Sequence, residues 1–176
     1  MNEPTLLDRC CDGDKTAWRE LFDRYAAAVY RWALFFGLDP SSAEELTQEV
    51  FVTAFRDIEE VESERELSPW LFQVARRKAA NARRLAWFRR TAFFGGARRG
   101  TDEIAEGEDG GDDERSRDVR DALRKMPLHL VEVLVLHDLE GRSRVEVAKA
   151  LGLAEGKVAR RLSAARALFA ELWEAS

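Results

Sequence analysis

The residues with the clearest chemical potential lie near the end of the chain, where three basic side chains follow a sharp turn. Lys157, Arg160 and Arg161 are three and four residues apart, so on a helix they share one face. Gly152 precedes them, and glycine readily adopts the backbone conformation that ends a helix. A short basic helix after such a turn has the geometry to enter the DNA major groove. The alternative is a plain helical hairpin with a solvated basic face.

Neighbouring residues strengthen the helix-turn-helix interpretation. Ser143 and Glu146 have the spacing of a capping box, which fixes where the first helix begins. Ala148 is small at the position where the two helices would cross. A buried stripe is predicted on the second helix at Val158, Leu162, Ala165 and Phe169. We therefore expect DNA to be a partner.

A second stretch that could bind nucleic acid lies between Arg76 and Arg99. It contains nine basic residues and no acidic one. Aromatic residues are interleaved with them at Trp87, Phe88, Phe93 and Phe94. Basic side chains neutralise phosphates, and aromatic rings can stack on unpaired bases. This pattern favours a segment that binds single strands, with a solvated helix face or a helix on a membrane surface as alternatives.

An acidic region lies between Asp39 and Glu66, with ten acidic residues and two basic ones. Glu45, Gln48 and Glu49 are expected to project from a helix whose other side faces the core. Because such a face repels phosphate, we expect it to dock a basic protein partner. Ordinary solvation is the alternative.

Charge is unevenly distributed along the 176 residues, whose net charge is −5. Residues 1–100 have 16 acidic and 16 basic side chains, whereas residues 101–118 have nine acidic and two basic ones. Residues 119–176 have eight acidic and ten basic ones. The negative total argues against simple electrostatic coating of DNA.

Catalytic and metal-binding patterns are missing from the sequence. His129 and His137 are eight residues apart, and no nucleophile elbow, phosphate loop or Cys/His cluster occurs. The adjacent Cys10 and Cys11 suit neither a disulfide nor a metal site, which predicts reduced thiols. We expect no catalytic residue, no metal and no cofactor. No apolar run approaches ~18 residues, and no signal peptide is evident, so a cytoplasmic protein without a membrane span is expected.

Apolar residues recur at helical spacing, which predicts an all-α fold. Helices are expected over residues 4–11 and 15–37, then from a second capping box at Ser42 and Glu45, and then from Ser68 with Pro69 in its first turn. The last of these helices is expected to point five residues inward: Leu71, Val74, Ala75, Ala82 and Leu85.

Domain boundaries follow from composition. Residues 95–118 have few large apolar groups and dense like charge, which predicts a flexible acidic linker. Residues 1–94 are expected to form an N-terminal helical domain. Residues 119–176 are expected to form a C-terminal one that contains the helix-turn-helix. The fold class is therefore two small helical domains joined by a linker.

Three segments together resemble a known family. They are AEELTQEVFVTAF (43–55), SPWLFQVARRKAANARR (68–84) and residues 126–169, with their E-G-x-S, L-G-L and G-x-V elements. The chain resembles the extracytoplasmic-function (group 4) sigma factors of bacterial RNA polymerase, within the sigma-70 family. The resemblance implies a non-enzymatic factor for promoter-specific transcription initiation, serving a stress or envelope-signal regulon. It also implies three partners, namely core RNA polymerase, promoter DNA and an anti-sigma factor, and a monomer when free.

The resemblance assigns three sets of site residues. Polymerase binding is assigned to Glu45, Leu46, Gln48, Glu49 and Phe51. Recognition and melting of the −10 element are assigned to Glu62, Ser63, Glu64, Arg65, Trp70, Arg76, Arg77, Lys78, Asn81 and Arg84. Recognition of the −35 element is assigned to Ser143, Lys157, Arg160, Arg161 and Arg166.

Two further hypotheses and two rival functions accompany this assignment. Leu128, Leu130 and Val131 form an unusually apolar patch, which could dock an inhibitory partner. The acidic segment 102–114 could mimic nucleic acid in the polymerase channel.

The first rival is a helix-turn-helix regulator that binds DNA as a dimer, although residues 1–95 show neither a β/α alternation nor a phosphoacceptor site. The second rival is a pure interaction protein, such as an anti-sigma factor or an adaptor, which would not need the three cations of the last helix.

Overall fold

The computed structural model describes residues 4–93 and 114–175, with the side chains of residues 4–88 and 115–175. Every regular element in these ranges is helical, which confirms the all-α prediction. None of these helices is long and apolar enough to cross a membrane. The helices are α1 (Leu6–Cys11), α2 (Lys15–Phe35), α3 (Pro40–Asp57), α4 (Glu64–Phe93), α5 (Glu114–Lys125), α6 (Leu128–Leu134), α7 (Arg144–Leu151) and α8 (Glu155–Glu174).

Helices α1 to α4 form an N-terminal module, residues 4–93. Its core is built around Phe72 of α4, whose ring meets Trp32 at 5.1 Å and Phe36 at 5.4 Å between centroids, both edge to face. Leu21 and Val50 are also fully buried. Burial of each such side chain contributes roughly 1.5–3 kcal/mol, so the apolar stripes of three helices stabilise one another.

Helix α3 begins earlier than the sequence predicts. The proposed capping box at Ser42 and Glu45 is wrong, because the N-cap is Asp39. The backbone N–H of Ser42 donates to Asp39 Oδ1 at 3.0 Å, and Pro40 occupies the first helical position. A capping carboxylate followed by a proline whose φ suits the first turn starts the helix before Ser42 can.

Helix α4 also begins before its predicted start. Ser68 is not its cap, because the helix starts at Glu64 and runs through Pro69. The Glu64 carboxylate accepts hydrogen bonds from the backbone of Leu6 at 3.2 Å and from Arg24 at 2.9 Å. These contacts, with the complete burial of Leu67, hold an extra turn ahead of the proline.

The inward face predicted for α4 is correct only in its first half. Leu71, Val74 and Ala75 are buried, whereas Ala82 and Leu85 are exposed. No described side chain of α4 is buried beyond Ala79, because the helix projects past the helices that cover its first half.

Helices α5 to α8 form a C-terminal module, residues 114–175. Its core contains most of α6 and the first two residues of the π-helical turn Val135–Leu139 that follows, packed against α8. Leu130 and Val131 belong to this core, with 9% and 0% of their surface exposed. The hypothesis that they form a docking patch is therefore wrong, since their apolar surface already covers α8.

The two modules pack against each other. Gly37, which ends α2 with a φ of +89°, lies against α5, where an added Cβ would come within 3.2 Å of Arg124 Cγ. Arg83 of α4 donates to the backbone carbonyls of Arg124 and Met126 at 3.3 and 3.2 Å. Most of the predicted linker lies outside the described residues, and residues 114–118 are the first five residues of α5.

Candidate nucleic-acid interface

The helix-turn-helix has the local structure that its sequence predicts. The Ser143 side chain accepts from the Glu146 backbone at 3.3 Å, while the backbone N–H of Ser143 donates to Glu146 Oε2 at 2.8 Å. Both hydrogen bonds of the predicted capping box are thus present. The pKa of Glu146 lies below its ordinary value because its carboxylate accepts from the Ser143 hydroxyl, at 2.7 Å, and from the Ser143 backbone N–H. Gly152 ends α7 in the left-handed region with a φ of 63°. These signals fix where α7 begins and ends.

The second helix, α8, presents its cations on one side. Val158, Leu162 and Ala165 are buried, as predicted. A shallow groove of about 400 Å³ runs beside this buried stripe, between α8 and the start of α6. It is lined by His129, Leu130, Lys157, Arg160, Arg161 and Ala164. The three cations that the sequence groups together are therefore brought together.

The cations of α8 differ in their partners. Lys157 and Arg160 are exposed, and within the described ranges neither forms an ion pair. Arg161 Nη1 donates to Glu132 Oε1 at 2.7 Å. Arg166 donates to both carboxylate oxygens of Asp138, at 2.9 and 2.6 Å, and these bonds hold the pKa of that carboxyl below its ordinary value. Only Lys157 and Arg160 are thus ready for a phosphate or a base without breaking an ion pair.

The residues assigned to −10 recognition do not form one continuous exposed set. Glu62 and Ser63 precede α4 and are exposed, whereas Glu64 and Arg65 lie in its first turn. The Glu64 carboxylate accepts hydrogen bonds from the α1 backbone and from Arg24, so this residue joins α4 to α1 and α2 within the N-terminal module.

Further along α4, the assigned cations are divided between exposed and engaged positions. Arg77 and Arg84 are exposed, as is Asn81, while Trp70 is half-buried. Lys78 Nζ forms an ion pair with Glu49 at 3.0 Å. The aromatic residues Trp87 and Phe88 are more than half exposed and meet edge to face at 5.0 Å. Phe93 and Phe94 lie outside the described side chains.

Arg76 of α4 forms an ion pair that the sequence does not reveal. Its Nε donates to Glu132, a fully buried carboxylate of α6. The same carboxylate binds Arg161, so one acidic group contacts a cation from each assigned DNA-binding set. The available signal is that Glu132 is the one charged residue in the apolar run 128–136. Burial of an unpaired carboxylate costs several kcal/mol of free energy, so a buried glutamate in such a run predicts a cationic partner.

The acidic face of α3 carries the assigned polymerase-binding residues. Glu45, Gln48 and Glu49 are exposed, but Leu46 is 4% exposed and belongs to the core. Phe51 is half-buried. Leu46 therefore supports the helix instead of touching a partner.

An apolar surface beside that face was missed by the sequence reasoning. Val52 and Phe55 are 69% and 70% exposed. Phe55 lies 5.1 Å from Trp18 of α2, and Phe22 lies 4.7 Å from Phe51, between ring centroids. The signal was present as a second apolar stripe on α3, since Val52 and Phe55 fall on the side opposite the core residues. We call Trp18, Phe22, Phe51, Val52 and Phe55 the aromatic patch.

The described residues contain no group of three or more His, Cys, Asp and Glu side chains that could hold a metal ion. Cys10 is buried and Cys11 is exposed, and both are free thiols. Burial raises the pKa of the Cys10 thiol to about 11, so it is protonated at neutral pH.

Comparisons with known proteins identify the family. Sigma-70 region 2 matches residues 21–89, and Sigma-70, region 4 matches residues 116–169. The ECF RNA polymerase sigma factor SigL of Mycobacterium tuberculosis is 32% identical over 163 residues, covering 89% of this chain and 89% of the relative. The chain belongs to the ECF family of RNA polymerase sigma factors. The resemblance seen in the sequence is confirmed.

Two further proteins agree with this membership. RNA polymerase sigma factor NccH of Alcaligenes xylosoxydans xylosoxydans is 28% identical over 186 residues, covering 100% of this chain and 99% of the relative. In fold, the sigma factor is similar to CnrH, whose structure was solved in complex with the cytosolic domain of CnrY. That likeness has a TM-score of 0.69 at 24% identity and covers 97% and 96% of the two chains.

The family matches divide this sigma factor at the same place as its helices. Region 2 ends within α4, and region 4 begins two residues into α5. The dimeric regulator considered as a rival needs only a helix-turn-helix and leaves the region 2 match unexplained.

Proposed function

We propose that this sigma factor directs RNA polymerase to promoters through three surfaces. Residues 1–94 would dock the core enzyme and bind the −10 element. Residues 119–176 would read the −35 element with α8. The chain itself would catalyse no reaction and would act in the cytoplasm, on a stress or envelope-signal regulon. The observation that carries the proposal is the pair of exposed cations, Lys157 and Arg160, on α8, the helix that follows the left-handed turn at Gly152.

The −35 step rests on the chemistry of those two side chains. Both project from the first half of α8, the part of a recognition helix that reaches base edges. A guanidinium can bind a guanine through two hydrogen bonds, and an ammonium can neutralise a phosphate. Because neither residue is tied to an ion pair within the described ranges, DNA contact costs no bond already made.

Run-off transcription with core polymerase on a genomic promoter library tests the −35 step. The variant K157A/R160A is compared with K15A/R19A, which removes two exposed cations of α2 instead. We expect the first variant to lose at least tenfold of its promoter-specific transcripts, since base contacts contribute about 1–3 kcal/mol each. The control should match the wild type. Equal transcript levels from the two variants would refute the proposal.

Docking to the polymerase is proposed for the aromatic patch together with the acidic face of α3. An exposed apolar surface rimmed by polar residues is typical of protein interaction sites. The variant Q48A/F55A should bind core polymerase at least tenfold more weakly, measured by co-purification and by titration. L139A is the matched control, since Leu139 is 51% exposed in the C-terminal module. Similar binding by both variants would remove this surface from the proposal.

Control by an anti-sigma factor is proposed from the structural neighbours. CnrH was solved with CnrY, and RpoE of Bartonella quintana was solved with the anti-sigma factor NepR, at a TM-score of 0.68 and 23% identity to this chain. The tagged sigma factor should capture, from its own host, a protein that added core polymerase displaces. Capture of polymerase subunits alone, in every growth condition, would count against such control.

A further inference from the structure

Helix α4 uses one face to contact the C-terminal module. Gln73 Nε2 donates to the backbone carbonyl of Ala150, near the end of α7. Arg142 Nη2 donates to Ser68 Oγ at 2.8 Å. Arg76, one turn beyond Gln73, reaches Glu132 of α6. These three polar contacts between the modules lie within about two turns of α4, and the contacts of Glu66 with Lys149 and of Arg83 with the backbone at the end of α5 extend them in both directions.

Glu132 is the centre of these contacts. Its side chain is fully buried, one oxygen binds Arg76 from α4, and the other binds Arg161 from α8. A buried carboxylate is stable only when its charge and both oxygens are compensated. The C-terminal module alone supplies one cation, and closure of the modules supplies the second. The buried charge of Glu132 is therefore better compensated when the two modules are in contact.

The contacted face of α4 includes two residues assigned to −10 recognition, Arg76 and Trp70. Trp70 and Gln73 line a groove of about 600 Å³ whose other wall is made by Arg142, Glu146 and Lys149 of the C-terminal module. A strand of DNA that reached Trp70 would enter this groove and meet the start of α7. Arg76 could bind a phosphate only after leaving Glu132.

We infer that the free sigma factor is held closed by Glu132, which withdraws Arg76 and Arg161 from DNA while it joins the two modules. DNA contact by either arginine then requires the modules to separate or the Glu132 ion pairs to break. This inference rests on the proposed function for the role of the α4 face, whereas the closure itself does not depend on it.

The closure is tested on the full chain in solution by small-angle X-ray scattering and by hydrogen exchange of α4 and α7 amides. E132Q keeps the shape of the side chain but removes its charge, while R76Q breaks only the contact between modules. Both variants should increase the radius of gyration and the exchange at the α4–α7 contact. R76Q carries the test if E132Q fails to fold, because Arg76 is one-third exposed and outside the core.

The withdrawal from DNA is tested by fluorescence anisotropy with a labelled mixed-sequence single-stranded 20-mer. E171Q removes the same negative charge from an exposed position on α8 and is the matched control. E132Q should bind at least tenfold more tightly than wild type, because a binding-competent state populated at about 10% lowers the apparent affinity tenfold. E171Q should change binding by less than twofold.

Two results would overturn the inference. One is a radius of gyration that stays unchanged in R76Q and in E132Q. The other is a gain in DNA affinity for E132Q no larger than that for E171Q. Neither result bears on polymerase binding or run-off transcription by the wild type, so failure of this inference and failure of the proposed function are distinguishable.

Discussion

Two pairs of basic residues, one pair in each module, are used in opposite ways. On α4, Arg76 and Lys78 are engaged with carboxylates of other helices. On α8, Lys157 and Arg160 are exposed and form no ion pair in the part of the chain that the structure describes. The first pair of cations stabilises contacts between elements, while the second pair remains exposed to solvent. A basic residue in a segment assigned to DNA binding can therefore also stabilise contacts within the protein.

Burial determines how much each ion pair matters. Glu132 is fully buried between two guanidinium groups, whereas the Lys149–Glu66 pair, at 2.7 Å, has a lysine that is 77% exposed. Solvent screens the exposed pair, so its contribution is small. Removal of the buried carboxylate leaves two partly buried guanidinium groups, 33% and 20% exposed, without their anionic partner.

The largest expected effect comes from removing the carboxylate that pairs with Arg76 and Arg161. E132A should lower the free energy of unfolding by about 3–5 kcal/mol, because it strands both guanidinium groups. E66A should lower it by no more than about 1 kcal/mol. Urea unfolding followed by tryptophan fluorescence measures both values. Equal losses in the two variants would show that burial does not separate these pairs.

A smaller effect is expected from Arg160, one of the two exposed cations of α8. R160A alone should weaken binding of the polymerase holoenzyme to a promoter fragment by about tenfold to a hundredfold, while the unfolding free energy stays within about 0.5 kcal/mol of wild type. K15A is the matched control on α2. Electrophoretic mobility shift at fixed salt measures the affinity. A stability loss that accounts for the weaker binding would mean that Arg160 supports the fold.

The next effect compares helix starts in the two modules. S143A removes the side chain that caps α7 and should cost about 1 kcal/mol. S42A should cost less, because Asp39 caps α3 and still accepts from the backbone of residue 42. D39A should cost as much as S143A. Thermal unfolding of the three variants decides the order, and a larger loss for S42A than for D39A would contradict the observed cap.

The smallest effect is a pH dependence in the C-terminal module. Arg166 lowers the pKa of Asp138, so the ionised carboxylate favours the folded state. This contribution, about 0.2–1 kcal/mol, is complete above the ordinary pKa of 3.8 and disappears as the pH falls through the folded-state pKa. D138N should therefore be less stable than wild type at pH 7 and equal to it near pH 2. D23N, on α2, is the control, and a gap that persists in acid would exclude this ion pair as its source.

Local signals in the sequence predicted much of the fold. The capping box at Ser143 and the glycine at 152 gave α7 its correct bounds, because a cap and a left-handed residue act within one turn of the chain. Similar local signals at Ser42 and Pro69 predicted helix starts that are wrong. Asp39 offered a better cap, and a distant contact from Glu64 to Leu6 held α4 helical before its proline.

Contacts between distant segments explain what the sequence could not supply. Glu132 meets Arg76 and Arg161, which are 56 and 29 residues away, and no local pattern pairs them. Leu85 has the helical spacing of a core residue and was predicted to face inward. It is exposed, because no described side chain of α4 is buried beyond Ala79. The resemblance to sigma factors located the candidate surfaces, but it gave no indication of which cations were already engaged.

The π-helical turn Val135–Leu139 makes the C-terminal module tolerant of one change in chain length. A turn of this kind contains one residue more than an α-helical path would need. Deletion of a single residue there would remove the bulge, and the residues on either side of the turn would keep nearly the same relative orientation. The same deletion in the middle of α8 would instead rotate every following residue by about 100° and turn its buried stripe away from the core. A one-residue gap in the π-helical turn is thus a smaller change to the molecule than a one-residue gap in a regular helix.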